Sequence, residues 1–230
     1  MNIDQMTSPE TLRHMVLDLR QMQTFMEDPL VIEKADGVWY EDVHGRRILD
    51  GLSGIFVVTV GHNNRRVIEA MKTQLDTMAF APPLHATNPS AIELTRKLAT
   101  VTPGDLNIIK LLSGGSEATE AAMKLARQYH KQTGHPNKYK IIARYQGYHG
   151  ATMGALSATG TKRRKTMFEP LLPGFMHVHP PTCYHCPYEK TYPDCDVFCA
   201  RTIEHLIESE GAETIAALIL EPIGNTGGVI

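Results

Sequence analysis

The tightest constraint on the fold lies at residues 108–125. Ile108–Leu112 is a short apolar run, Ser113-Gly-Gly-Ser116 is a turn of small residues, and a helical pattern opens at Glu117. Strand, glycine turn and helix form the unit from which parallel α/β sheets are built. Glycine lets backbone come close to a ligand. The free N–H groups of a helix start, with the positive dipole end behind them, form an anion cradle, most often for phosphate. The turn matches neither G-x-x-x-x-G-K-[ST] nor G-x-G-x-x-G, which points away from P-loop ATPases and Rossmann dinucleotide binders.

The same β–α rhythm continues downstream. Glu117–Lys131 reads as a helix whose stripe of Ala118, Ala121, Ala122, Leu125, Ala126 and Tyr129 is expected to be buried. Lys140–Arg144 reads as a strand, Ile203–Ser209 as a helix and Ile215–Leu220 as a fully apolar strand. Apolar strands alternating with helices predict an α/β fold with a mostly parallel sheet covered on both faces.

Upstream the pattern differs. Residues 1–30 read as a helical lead-in, and Leu30–Asp50 as antiparallel hairpins broken at Asp36-Gly37 and His44-Gly45. Asn63-Asn64 opens a helix with Val67, Ile68, Met71, Leu75 and Met78 on one face; Phe80–Asn88 is a loop, and Asn88-Pro89 starts the next helix. We expect residues 1–60 to belong to a small domain and 61–230 to be the first part of a large one. The chain passes Glu221-Pro222 and ends at Ile230 as a new apolar run begins. It reads as half of something longer.

With a net charge of −2 and one basic run, Lys162-Arg-Arg-Lys165, nothing favours a nucleic-acid face. No segment has the unbroken apolar length of a membrane helix. The polar, acid-containing first twenty residues argue against a secretory signal, so cytoplasm is expected. Cys183, Cys186, Cys195 and Cys199 are spaced C-x2-C-x8-C-x3-C. That suits a small zinc knuckle, a redox pair, or a surface insertion with reduced thiols. Since the second half lacks C-x2-C, the insertion is expected, with no metal.

Two further features sit where strands end. Gly147-Tyr-His-Gly150 follows Lys140–Arg144, and Glu221 is the first polar residue after Ile215–Leu220. Ligands in open α/β sheets bind at that edge. A Tyr beside a His between glycines can stack on a flat ligand and offer it a polar tip.

Ser113-Gly-Gly-Ser-Glu-Ala118, Tyr145-Gln-Gly-Tyr-His-Gly150 and Leu220-Glu-Pro-Ile-Gly-Asn-Thr-Gly-Gly-Val-Ile230 together resemble three successive motifs of the class III pyridoxal-phosphate aminotransferases. Asp36-Gly-Val-Trp-Tyr-Glu-Asp42, Gly45-Arg-Arg-Ile-Leu-Asp50 and Gly61-His62 extend the match upstream, and the ω-amino acid:pyruvate and amine:pyruvate group is the most similar. The resemblance implies fold type I, with a mostly parallel seven-stranded large domain and a small α+β domain built from both chain ends. It implies that Gly115 and Ser116 bind the phosphate of pyridoxal 5′-phosphate, Tyr148 stacks on its ring, His149 sits beside it, and Glu221 organises the site. It places Phe56 in the substrate pocket, and has Leu84 and His85 reach the partner subunit's site in a homodimer.

The reaction implied is transfer of an amino group from an ω-amino acid or amine to pyruvate or another 2-oxoacid. The family's Schiff-base lysine, and the aspartate that pairs with the pyridine nitrogen, would both fall after Ile230. The 230 residues contain no catalytic residue on this reading and are expected to be inert alone. The alternatives are other class III chemistry, an aminomutase or decarboxylase, or a non-catalytic PLP-fold or zinc-stabilised interaction module.

Overall fold

The computed structural model describes residues 1–229; Ile230, the last residue of the third motif, lies outside the described residues. The chain forms two compact units, Met1–Pro89 and Ser90–Ile230.

The first unit opens with three short helices, α1 (Ile3–Thr7), α2 (Pro9–Leu12) and α3 (Met22–Glu27). A capping box starts α1: Asn2 Oδ1 accepts from Gln5 N at 2.8 Å, and Gln5 Oε1 accepts from Asn2 N at 3.0 Å. An antiparallel meander follows, β1 (Ile32–Asp36), β2 (Trp39–Asp42) and β3 (Arg47–Leu49), in that spatial order. The predicted turns sit where glycine takes left-handed backbone, φ 57° at Gly37 and 78° at Gly45. Asp42, fully buried, closes the second turn by accepting from the N–H groups of His44 (3.0 Å) and Arg46 (2.8 Å) and from the Arg46 guanidinium. Burial pushes its carboxyl up, but the Arg46 and His44 bonds outweigh this and hold it below its ordinary value.

Two helical segments complete this unit, the single turn α4 (Ser53–Phe56) and α5 (Arg65–Thr77). Asn64 Oδ1 accepts from Val67 N, the cap expected from Asn63-Asn64. On α5, Val67, Met71 and Leu75 are exposed.

After α6 (Pro89–Leu98), the second unit contains α7 (Gly115–Gln132), β4 (Lys140–Arg144), α8 (Met153–Ala158), α9 (Lys162–Lys165), β5 (Phe175–Val178), α10 (Phe198–Glu210) and β6 (Ile215–Leu218). The sheet has the order β5-β4-β6 and is parallel throughout. Its central strand contributes Ile141, Ile142 and Ala143, all without solvent exposure. On one face Ile141 and Ala143 pack with Met123 of α7 and Ala158 of α8. On the other, Ile142, Val178 and Ile215 pack against Ile203, Leu206 and Ile207 of α10. Both faces are covered, as the apolar strands require.

Two expectations are corrected. Ile108–Leu112 is not a strand: among the described residues no strand pairs with it, and Ile108 is 94% exposed. An apolar, β-prone run becomes a strand only when a neighbour takes up its backbone hydrogen bonds. On α7 the buried residue is Met123, while Ala118, Ala122, Leu125 and Tyr129 are exposed. The inward side carries polar groups that bond across to the sheet. His130 Nε2 meets the Ala216 carbonyl at 2.9 Å, and Arg127 Nε donates to the Tyr139 carbonyl at 2.9 Å. These tertiary bonds orient the helix against its most apolar stripe.

Candidate active site

Because β4 and β6 are adjacent and parallel, the segments that follow them leave the sheet at one edge. The ladder runs on through Ile219, whose N–H donates to the Ile142 carbonyl at 2.8 Å. Two residues later Glu221 Oε2 accepts from Tyr148 N at 3.0 Å. Gln146 turns the β4 loop with a left-handed φ of 65°. The loop is tied down from behind. Gly160 N donates to the Gly147 carbonyl at 2.9 Å, and Thr161 Oγ1 donates to the carbonyls of Gln146 and Gly147 at 3.1 and 3.2 Å. A Cβ on Gly160 would lie 2.1 Å from the Arg144 carbonyl oxygen, so only glycine fits there.

His149 is 9% exposed, its N–H donates to Thr159 Oγ1 at 2.9 Å, and its Nε2 is buried with no hydrogen-bond partner. Burial pushes its pKa below the ordinary value, and the opposing charge of Glu221 recovers only part of that. Burial therefore favours the neutral ring, whose buried Nε2 makes no hydrogen bond. Tyr148 is half-buried, and the Arg164 guanidinium carbon stands 4.8 Å from its ring centroid.

The start of α7 lies against the same loop. Gly114 precedes the helix in extended backbone, and no side chain caps the helix end. Its first-turn N–H groups are therefore donors without an intrahelical acceptor. The Glu117 carboxylate folds back over Gly114. Ser116 Oγ accepts from Ala151 N at 3.0 Å, which leaves the hydroxyl hydrogen free to be donated. One turn on, the Glu120 carboxylate accepts from Thr152 Oγ1 (2.7 Å), Gly154 N (2.8 Å) and Ala155 N (3.1 Å), capping α8. Gly150, at φ 133°, passes so close that a Cβ would lie 2.7 Å from Ser116 Oγ.

Of the predicted site residues, Tyr148, His149 and Glu221 share one sheet edge, and Gly115 and Ser116 join it through Gly150-Ala151. Gly147, His149 and Glu221 line a cleft with Arg144, Pro180 and Gly224. Phe56, Leu84 and His85 lie in the first unit. Phe56 ends the α4 turn, and all three side chains are exposed. The motifs did not single out Glu120, Thr159 or Arg164. For Glu120 and Thr159 the only signal is position, one turn past the phosphate turn and just past a buried helix; Arg164 lies in the basic run Lys162–Lys165.

The four cysteines are free thiols lining one cleft with Tyr188 and Phe198. Among the described residues no three His, Cys, Asp or Glu side chains form a metal-holding group, and no helix is long and apolar enough to cross a membrane.

A sequence model of the aminotransferase class-III family matches residues 22–230. The chain belongs to the class III aminotransferases. It is 41% identical over 220 residues to a probable aminotransferase of Mycobacterium tuberculosis, covering 96% of this chain and 47% of the relative. Among solved structures it is similar to an (S)-enantioselective ω-transaminase of Thermomicrobium roseum, with a TM-score of 0.94 and 37% identity, covering 100% of this chain and 52% of that one. An amine transaminase from an uncultivated Pseudomonas species, crystallised in its PLP-bound form, matches with a TM-score of 0.87 and 33% identity over 94% of this chain and 50% of that one. The class III chain thus spans about half the length of the relatives it matches, and its α/β fold is that of the fold-type I transaminases.

Proposed function

We propose that these residues form part of a transaminase that moves an amino group from an ω-amino acid or amine to pyruvate or another 2-oxoacid, using pyridoxal 5′-phosphate. The uncapped start of α7, hydrogen-bonded through Ser116 to the loop that carries Tyr148 and His149, is the observation that carries this reading. The donors fit the cofactor's chemistry. Gly115 N–H and the Ser116 hydroxyl suit a dianionic phosphate, the Tyr148 ring suits stacking, and the buried, unpartnered Nε2 of His149 suits a polar neighbour of the ring. When bound, the cofactor supplies the electron sink for amine chemistry.

This chain's residues do the rest. Ser116 and the helix start hold one end, Tyr148 orients the ring, and Glu221 fixes the Tyr148 backbone. Phe56 shapes the amine pocket, and Leu84 and His85 complete the partner's site in a homodimer working in the cytoplasm. The ω-transaminase similarity supports an amine donor over other class III chemistry.

The test is a titration of the purified chain with pyridoxal phosphate, followed by absorbance and equilibrium dialysis. Binding is expected to be reversible, and Ser116→Ala or Tyr148→Leu should weaken it about tenfold or more. Amino transfer to pyruvate, read as alanine formed, is expected from protein in which these residues continue into the family's second half, and not from the 230 residues alone. A wild-type chain that binds no pyridoxal phosphate overturns the reading.

A further inference from the structure

The α4 turn is built the wrong way round. Ser53, Gly54, Ile55 and Phe56 have φ of 50°, 59°, 59° and 68°, and ψ is 40° at Gly54 and 56° at Ile55. This is a complete turn of left-handed helix, with Phe56 N donating to the Leu52 carbonyl at 2.8 Å and Val57 N to the Ser53 carbonyl at 3.0 Å. In that conformation Cβ crowds the following carbonyl oxygen, so residues other than glycine adopt it singly, and β-branched ones hardly at all.

Burial does not hold the turn in place. Ile55 is 73% exposed, Phe56 59% and Val57 79%. The restraint comes from behind. Asp50 Oδ2 accepts from Gly54 N and from His62 Nε2, both at 2.7 Å, and Oδ1 accepts from Leu52 N at 3.1 Å. The Asp50 side chain is almost wholly buried, and the neighbouring Tyr40 side chain favours its charged form. His62 is itself bolted to the first hairpin. Its backbone exchanges two hydrogen bonds with Gly37, and its ring lies 4.6 Å from that of Tyr40. A carboxylate fixed from the hairpin side therefore reaches into the turn and takes its central N–H.

Backbone strain of this kind persists only where the surroundings over-determine it, and it concentrates where geometry matters. Here it presents an exposed aromatic ring and buries nothing in return. We propose that Asp50, braced by His62, is a positioning residue that latches the left-handed turn and thereby sets Phe56 against the amine substrate. The inference rests on the reading of Phe56 as a wall of the substrate pocket.

The test combines hydrogen exchange with kinetics on Asp50→Asn, Ile55→Gly and the double variant. Asp50→Asn is expected to speed exchange at the Gly54 and Phe56 amides roughly tenfold, while the Gly37 and His62 amides keep their protection. Ile55→Gly, which removes a β-branched residue from left-handed backbone at a site that buries little, is expected to slow exchange at these amides by a similar factor. In the double variant it should restore much of what Asp50→Asn loses. This arm stands even if Asp50→Asn alone folds poorly.

In the active transaminase, Asp50→Asn should raise the KM for the amine several-fold without changing the affinity for pyridoxal phosphate, and Phe56→Ala should do the same. Unchanged exchange at Gly54 in Asp50→Asn, or faster exchange in Ile55→Gly, overturns the latch. If Phe56→Ala raises KM and Asp50→Asn does not, positioning is overturned. If Phe56→Ala leaves KM unchanged, the pocket reading of Phe56 fails, and the exchange data still decide the latch.

Discussion

The Tyr148 amide and the Glu221 carboxylate, 73 residues apart in sequence, meet in one hydrogen bond of 3.0 Å. The bond exists because β4 and β6 are parallel neighbours, so the loops that follow them emerge side by side. A carboxylate holding a backbone N–H positions the loop while leaving the Tyr148 ring to other work. Glu221→Ala is expected to destabilise the second unit by about 1–2 kcal/mol, the range for a charge-assisted bond discounted for partial exposure. Glu221→Gln, which keeps an acceptor oxygen, should cost less. Urea unfolding checks the ranking.

Glu120 is the larger anchor. Its carboxylate takes three donors at the start of α8. Glu120→Ala removes them together and should cost about 2–3 kcal/mol. Glu120→Gln should recover part of that. Thermal unfolding followed by circular dichroism measures both, and a cost below about 0.5 kcal/mol for Glu120→Ala would contradict the assignment.

Gly160→Ala sets a Cβ against the Arg144 carbonyl oxygen, with the Tyr145 backbone 2.5 Å away on another side. Backbone cannot step aside as a side-chain tip can, so the loss should be about 3 kcal/mol or more. Gly51→Ala, with open space around its Cβ and no left-handed φ, is the control and should shift stability by less than about 0.5 kcal/mol.

Acid should weaken the second unit through two histidines. Burial holds both His149 and His177 below the ordinary histidine value, and at His177 the Lys165 charge adds to it. Below about pH 6.5 the unfolded chain gains protons that the folded chain refuses, so stability falls as pH drops toward the lowered folded values. Above that range the contribution is fully present. Urea midpoints between pH 5 and 7.5 should fall with acidity. His177→Gln, which keeps a donor for the Ala158 carbonyl, should flatten the trend.

Much of this arrangement could be read from residue order. The hairpins declared themselves through Asp36-Gly37 and His44-Gly45, and β4 and β6 through apolar runs ending at polar residues. Tyr148, His149 and Glu221 fell at those strand ends, where parallel topology gathers ligands, and Ser116 at a helix start. What could not be read depended on neighbours. Ile108–Leu112 has the composition of a strand but no paired backbone. The inward side of α7 is chosen by the bonds of Glu120, Arg127 and His130, which an apolar stripe does not register. β5 was missed because Phe175-Met-His-Val178 carries a histidine, whose Nε2 meets the Ala158 carbonyl at 3.0 Å. The handedness of the α4 turn left no trace at all, since Ile55 and Phe56 are residues that ordinarily avoid it.

Ser116 and Glu120, one helical turn apart, are both riveted to residues 151–155. The first turns of α7 and α8 are therefore joined as one stiff body, and the helix end proposed to grip an anion has few soft modes of its own. A ligand captured there freezes little motion on arrival, so its binding enthalpy is spent on holding rather than on ordering the protein. The same rigidity has a cost in adaptability. A rigid end of this kind would discriminate against anions of different size or shape.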